Sequence, residues 1–238
     1  MVRIRHVAIC TGQPWEAEGE VQRLLGLAVV QRDPFDPAIR IRNGVFALQD
    51  TFLEVTAPGA PDAPAQRFLD RRGEGGYMVC LQVDDLDAAR RRAESMGVRV
   101  ALTIDGHRSG AQTISSLHLH PSDTGGTLFS FELPVPPESW AYGGLAWRDY
   151  RRLHIVQNIV GVQLTSSEPD RLIGRLAQLL DISNTNGRSV ALDRCQIAVA
   201  AAANVGDPDR LAAIEFSATD RSRVGEQHTV AGTVLKFV

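Results

Sequence analysis

The residues able to do chemistry in this chain are few and widely spaced. Glu54 sits in Phe52-Leu53-Glu54-Val55, an otherwise apolar run, and a carboxylate buried there is costly without a partner. It reads as a paired or functional group, with a solvent-facing Glu on an alternating strand as the competing reading. His6 lies in Arg3-Ile4-Arg5-His6-Val7-Ala8-Ile9-Cys10. Its plainest role is a half-buried strand histidine bonded to backbone; set opposite Glu54, it would form an acid–base or ion pair. His118 and His120 share one face of their segment and precede Pro121-Ser122-Asp123-Thr124-Gly125-Gly126. The Asp and paired glycines signal a turn, so His120 reads first as turn support and second as a ligand. His107, in Asp105-Gly106-His107-Arg108-Ser109-Gly110, reads as solvent-facing, or as part of a lid.

Other candidates resolve into structure. The 3 cysteines, Cys10, Cys80 and Cys195, form no CxxC pair, and Cys10 and Cys80 fall on strand positions as buried inert thiols. Lys236 is the only lysine, which makes Schiff-base catalysis an uneconomical idea. Arg90-Arg91-Arg92 fits a solvated helix face, and Asp84-Asp85-Leu86-Asp87 fits capping better than calcium binding. No phosphate loop, dinucleotide fingerprint, nucleophile elbow or His-Glu-x-x-His helix occurs.

Composition narrows the class. The 238 residues carry 25 basic against 28 acidic side chains, a formal charge of −3, with 44% hydrophobic and 22% charged residues. That balance suits a chain with a real core and disfavours disorder and nucleic-acid binding. No stretch approaches about 18 consecutive apolar residues, and the first residues lack the apolar run of a secretory signal. A cytoplasmic location is therefore expected, with no membrane partner.

The elements that must position these residues repeat along the chain. Residues 3–10 read as a strand, Pro14–Leu27 as a helix closing near Gly26, then Val29–Gln31, Ile39–Arg42, Val45–Gln49 and Phe52–Thr56 as strands, with turns at Asn43-Gly44 and Gln49-Asp50. A Pro- and Gly-rich stretch from Pro58 to Gly76 looks like a connector with a short helix around Ala65–Arg71. The order then recurs: strand Tyr77–Val83, helix Leu86–Met96 closed by Gly97, strands Val98–Ile104, Thr113–Leu119 and Thr127–Leu133. Counted from His6 and Met78, the closing glycines fall 20 and 19 residues later, which points to a duplicated βαβββ unit. After a stretch with Trp140 and Trp147, whose rings would pin it to a neighbouring surface, the pattern restarts. Strand Ile159–Leu164, helix Glu168–Leu180 and strands Ser189–Leu192, Gln196–Ala201, Ala212–Ala218 and Thr229–Val238 make one module plus a shortened second.

Two stretches carry a family likeness. Tyr77-Met78-Val79-Cys80-Leu81-Gln82-Val83-Asp84-Asp85-Leu86-Asp87-Ala88-Ala89 and His120-Pro121-Ser122-Asp123-Thr124-Gly125-Gly126-Thr127-Leu128, with the duplicated modules, resemble the vicinal-oxygen-chelate superfamily. That superfamily includes glyoxalase I, methylmalonyl-CoA epimerase, extradiol dioxygenases and bleomycin-resistance proteins, and the second stretch is similar to the epimerase-like members. The resemblance implies a curved sheet around a cavity with four inward metal-ligand positions. Mapped onto this chain they are His6, Glu54, Met78 and Ser130, where metal-binding members carry His and Glu at the last two places. A thioether and a neutral hydroxyl are poor partners for Zn, Ni, Mn, Co or Fe. Glu132, on the same strand face as Ser130, is a candidate replacement carboxylate. A dioxygenase is the least expected activity, because Met78 stands where its iron would need a histidine.

The expectation is therefore an α+β chain of tandem βαβββ modules: a glyoxalase-like domain over 1–134, a linker over 135–151 and a reduced glyoxalase-like domain over 152–238. The reduced half would cover a sheet edge of the first domain or of a partner, and a homodimer is expected. Two functions stay open. One is a lyase, isomerase or epimerase acting on a small oxygenated metabolite, with His6 and Glu54 as metal ligands or as acid and base. The other is a metal-free small-molecule binder of the bleomycin-resistance type, with Met78, Ser130 and His120 lining the cavity.

Overall fold

Nine-residue β1 (Val2–Cys10) alternates Ile4, Val7 and Ile9 into the core, so one face is committed to burial and the other is free to carry function. In the computed structural model, which describes residues 1–32, 40–183, 185–204 and 206–238, this strand opens the first of the repeated units. It leads through α1 (Pro14–Leu25) to β2 (Val29–Gln31), β3 (Ile41–Ala47) and β4 (Phe52–Pro58). Pro14 starts α1, and Gly26 ends it at φ 66, a left-handed cap whose N–H reaches Gln22 O. After α2 (Pro64–Arg72) come β5 (Gly75–Val83), α3 (Leu86–Ser95), β6 (Val100–Ser109), β7 (Gln112–Leu119) and β8 (Leu128–Val135). Asp85 caps α3 by accepting from Ala88 N–H at 2.8 Å.

The pairing repeats as the sequence does. β1 runs parallel to β4, and β5 runs parallel to β8, while β1 and β5 join the two units antiparallel. The second half follows the same plan with β9 (Val156–Ser166), α4 (Pro169–Leu180), β10 (Thr185–Asn186), β11 (Ser189–Leu192) and β12 (Cys195–Ala201). It then closes with β13 (Arg210–Ala218), β14 (Gln227–Val230) and β15 (Thr233–Phe237). β9 pairs parallel with β12 and antiparallel with β13, which pairs parallel with β15. Among the described residues this makes one sheet of fifteen strands, and the fold is the expected α+β arrangement of tandem βαβββ units.

The two halves share one apolar core. Val21 and Leu25 of α1, Ala93 of α3, and Leu172 and Leu176 of α4 pack with strand residues of both halves in a single cluster. The reduced half thus packs on the first within the chain, and β13 touches β5 at Leu211 and Gly76. Around the opposite, concave face of β1–β8, residues 136–150 fold over as a roof. Trp140 and Trp147 are fully buried there against Phe52, with ring centroids 5.7 and 4.9 Å away, as the pinning reading expects.

Three local readings are corrected. Asn43-Gly44 is no turn: β3 runs straight through it in register with β4. The glycine serves a close approach, because a Cβ at Gly44 would collide with the Glu18 carboxylate. Ile39 of the expected strand lies outside the described residues. The Asp105–Gly110 segment is no solvent loop either, since β6 carries on through His107 and Arg108, which pair with Ile114 and Thr113. Finally, Thr229–Val238 is two antiparallel strands, β14 and β15, reversed at Ala231-Gly232.

Candidate functional site

A register shift between Ile4 and His6 in the β1–β5 ladder leaves Ile4 and Val7 in the core and turns His6 to the concave side. Glu54, on the neighbouring strand β4, faces the same way. His6 Nε2 lies 3.0 Å from Glu54 Oε2, and both side chains are almost wholly buried. Trp140 of the roof donates Nε1–H to His6 Nδ1 at 3.3 Å, which leaves the ring proton on Nε2. The contact with Glu54 is close but poorly aligned, and among the described residues His6 Nε2 and Glu54 Oε1 have no hydrogen-bond partner. Two orphaned polar atoms on a cavity wall mark where a ligand group would be received.

The cavity has a volume of about 450 Å³, and its walls include His6, Glu54, Met78, Cys80, His118 and Glu132. This is ample for a small organic molecule. Met78 lines it as the sequence expects. Ser130 shares the face but is fully buried behind Glu132, to whose Oε1 it donates at 2.6 Å. His120 does two things: its Nδ1 accepts from Ser122 N–H at 3.2 Å, holding the turn, and its ring reaches the cavity wall.

The donor set does not fit a metal centre of the family's four-ligand type. His6 and Glu54 supply two donors, but the Met78 sulfur is soft and the Ser130 hydroxyl is already committed to Glu132. Glu132 is itself taken up by the hydroxyls of Ser116 and Ser130. Among the described residues no group of three or more His, Cys, Asp or Glu is arranged to hold an ion.

Electrostatics single out groups that spacing alone ranked low. Glu132 is fully buried with no cation beside it. Burial pushes its carboxyl up to about 7, against the pull of the Ser116, Ser130 and Cys80 hydrogen bonds. Tyr142 of the roof extends this chain, its hydroxyl 2.8 Å from Ser116 Oγ, and its ring stacks on His107 at 4.9 Å. The Cys80 thiol is held well above its ordinary value by burial and by the carboxylates of Glu132 and Glu54, so it is a protonated, inert thiol. Burial lowers His118 to about 4, so its ring is neutral near pH 7, and among the described residues neither nitrogen has a partner.

Arg5, which does not line the cavity, anchors the roof and carried no sequence signal. Its buried guanidinium lies 4.9 Å from the Trp140 ring and bonds to Gln82 Oε1 at 2.6 Å, and burial lowers its value to about 9. It holds the roof to the sheet. At the cavity mouth stand Arg67, Arg71 and Arg72 of α2, in a stretch that composition had marked only as a connector.

Comparison with known proteins gives this cavity a lineage. A family model described as the glyoxalase/bleomycin resistance protein/dioxygenase superfamily matches residues 5–115. An ethylmalonyl-CoA/methylmalonyl-CoA epimerase of Cereibacter sphaeroides is 32% identical over 133 residues, 55% of this chain and 96% of that protein. The mitochondrial methylmalonyl-CoA epimerase of Bos taurus is 28% identical over 131 residues, 55% of this chain and 73% of that one. The crystal structure of a hypothetical protein from Staphylococcus aureus matches the fold of the whole chain. It covers 100% of this chain and 99% of its own, with a TM-score of 0.72 at 13% identity. The epimerase likeness covers nearly all of the Cereibacter sphaeroides protein. The chain belongs to the glyoxalase/bleomycin resistance protein/dioxygenase superfamily.

Proposed function

We propose that this chain binds a small, partly apolar organic molecule in the β1–β8 cavity and does so without a family-type metal centre. The observation that carries this reading is the Ser130–Glu132 hydrogen bond beside the Met78 thioether. It uses up the fourth ligand position and leaves a polarizable sulfur at the third, which suits an apolar or aromatic surface better than a cation. Elemental analysis of the purified chain tests it. Stoichiometric Zn, Ni, Mn, Co or Fe overturns the reading, while their absence, with no rise in Tm on adding each metal, supports it. The reading takes 1–134 as the glyoxalase-like domain, 135–151 as its roof and 152–238 as the reduced domain. It also keeps the expected homodimer, which light scattering showing a monomer at every concentration would remove.

A second reading, proton-transfer isomerase or epimerase, is favoured by the epimerase names of the relatives and by carboxyls on two walls of the cavity. In it Glu54, oriented by His6, accepts the proton from the carbon beside a carbonyl. Glu132, kept protonated near neutrality by burial, returns a proton to the opposite face, so one C–H bond breaks and one forms. Methylmalonyl-CoA in D₂O is the direct assay. NMR should show deuterium entering at the carbon between the carboxylate and the thioester, and Glu54→Gln and Glu132→Gln should each abolish interconversion of the two epimers. No exchange in the unaltered chain removes methylmalonyl-CoA as a substrate.

A further inference from the structure

The mouth and the floor of the cavity differ in charge. At the mouth, α2 presents Arg67, Arg71 and Arg72, all exposed, and the carboxylates on the wall are the deep ones, Glu54 and Glu132. Arg67 is turned partly aside, donating to the backbone O of Asp62 at 2.6 Å, and Arg72 donates to the backbone O of Asp209. Neither bond neutralises a charge. Arg71 makes no ion pair among the described residues. Cations gathered at one rim raise the local concentration of anions and hold them as they arrive.

Deeper in, His118 supplies an independent signal. It is 8% exposed, it lines the cavity, and among the described residues both ring nitrogens lack a partner. A neutral imidazole offers one donor and one acceptor, and leaving both unmade in a buried wall is costly. The same wall carries apolar side chains, Phe68, Leu102, Ile104, Leu128 and Met78.

From these three zones we infer that the cavity takes an organic anion. Its acidic group sits at the Arg67–Arg71–Arg72 rim, an apolar ring or chain runs along Phe68 and Leu128, and a hydroxyl, amine or carbonyl meets His118. The inference rests on the small-molecule reading above and adds the charge and polarity of the ligand.

A matched pair of fluorescent probes tests it on the full chain. 8-Anilinonaphthalene-1-sulfonate and N-phenyl-1-naphthylamine share one aromatic body, and the sulfonate alone distinguishes them. At low salt the sulfonated probe should bind at least tenfold more tightly. Arg71→Gln, a surface change that leaves the core intact, combined with Arg67→Gln should weaken it about tenfold while changing the neutral probe less than twofold. His118→Phe should weaken both, and circular dichroism confirms that this variant is folded. Competition by 1-naphthoate against 1-naphthyl phosphate tells whether the rim prefers a carboxylate or a phosphate, and displacement by either supports the inference. Equal affinity of the two probes, or an unchanged ratio in the arginine variant, overturns the anion and leaves the cavity reading standing. Binding of neither probe overturns both.

Discussion

On one rung of the sheet the first half carries His6, Cys80 and Ser130, and the second half carries Gly161, Glu215 and Lys236. His6 pairs with Cys80 and Cys80 with Ser130, as Gly161 pairs with Glu215 and Glu215 with Lys236. The parallel neighbours correspond too, Phe52 on β4 and Gln196 on β12. Yet the chemistry of the two faces diverges. Glu215 has a cation 3.9 Å away in Lys236 and accepts from Gln196 Nε2 at 3.3 Å, and both members of the ion pair keep some exposure, 17% and 25%. Glu132, two pairs along from Ser130, has hydroxyl partners, no exposure and, among the described residues, no cation. The two carboxylates stand at different positions of equivalent strands, and they differ both in the residue opposite and in what covers them. Residues 136–150 roof the first face, and a roof converts an ordinary carboxylate into one that titrates near neutrality.

The harshest break of this comparison is to remove the second half. Deleting 152–238 takes Leu172, Leu176, Ile214 and Phe216 out of the shared core, and the remaining chain should lose cooperative thermal unfolding. Recovery of a fragment with the full chain's urea midpoint would show that the halves hold separate cores.

Removing the roof's anchor comes next. Trp140→Ala opens a cavity beside Phe52 and His6 and strips the ring from the Arg5 guanidinium. It should cost about 3–5 kcal/mol, read from urea unfolding with an unchanged m-value. Lys236→Ala on the uncovered face is the matched control and should cost no more than about 1 kcal/mol.

Glu132→Gln sharpens the electrostatic side. The carboxyl titrates at about 7 in the folded chain against an ordinary 4.5, so the folded state binds the proton more tightly. Stability from this group is complete below about pH 4.5 and falls as pH rises through 7, by up to about 3 kcal/mol. The Gln variant should lack that fall and unfold later than the unaltered chain at pH 8, but not at pH 4.5. His118 runs the other way: lowered to about 4, it weakens the fold as pH drops from about 6.5 to 4. His118→Gln should therefore flatten the acid side, by a margin comparable to that of Glu132→Gln because the two shifts are of similar size. Equal pH profiles for the variants and the unaltered chain would show that neither group is desolvated.

Much of the scaffold was legible in the residues because it follows from local rules. Apolar runs of strand length marked β1, β5 and β8, Pro14 and Gly26 bounded α1, and Asp85 capped α3. Matching spacings from His6 to Gly26 and from Met78 to Gly97 exposed the duplication, and the duplication placed His6, Glu54 and Met78 on one wall. The misreadings arose where a local signal served a distant contact. Asn43-Gly44 looks like a turn, but the glycine makes room for Glu18 from α1. The polar run around His107 looks like a loop, but β7 pairs with it and Tyr142 stacks on its ring.

The sequence by itself determined the βαβββ order and, through the family resemblance, marked His6, Glu54, Met78 and Ser130 as the ligand positions, because element order and residue type need no information from elsewhere in the chain. Tertiary structure alone decided that Glu132 is the titrating carboxyl, that Ser130 serves it, that His118 is left unpartnered, and that arginines of a connecting helix ring the mouth. Those properties depend on which groups lose water and which charges stand nearby, and both are set by segments folded in from far along the chain.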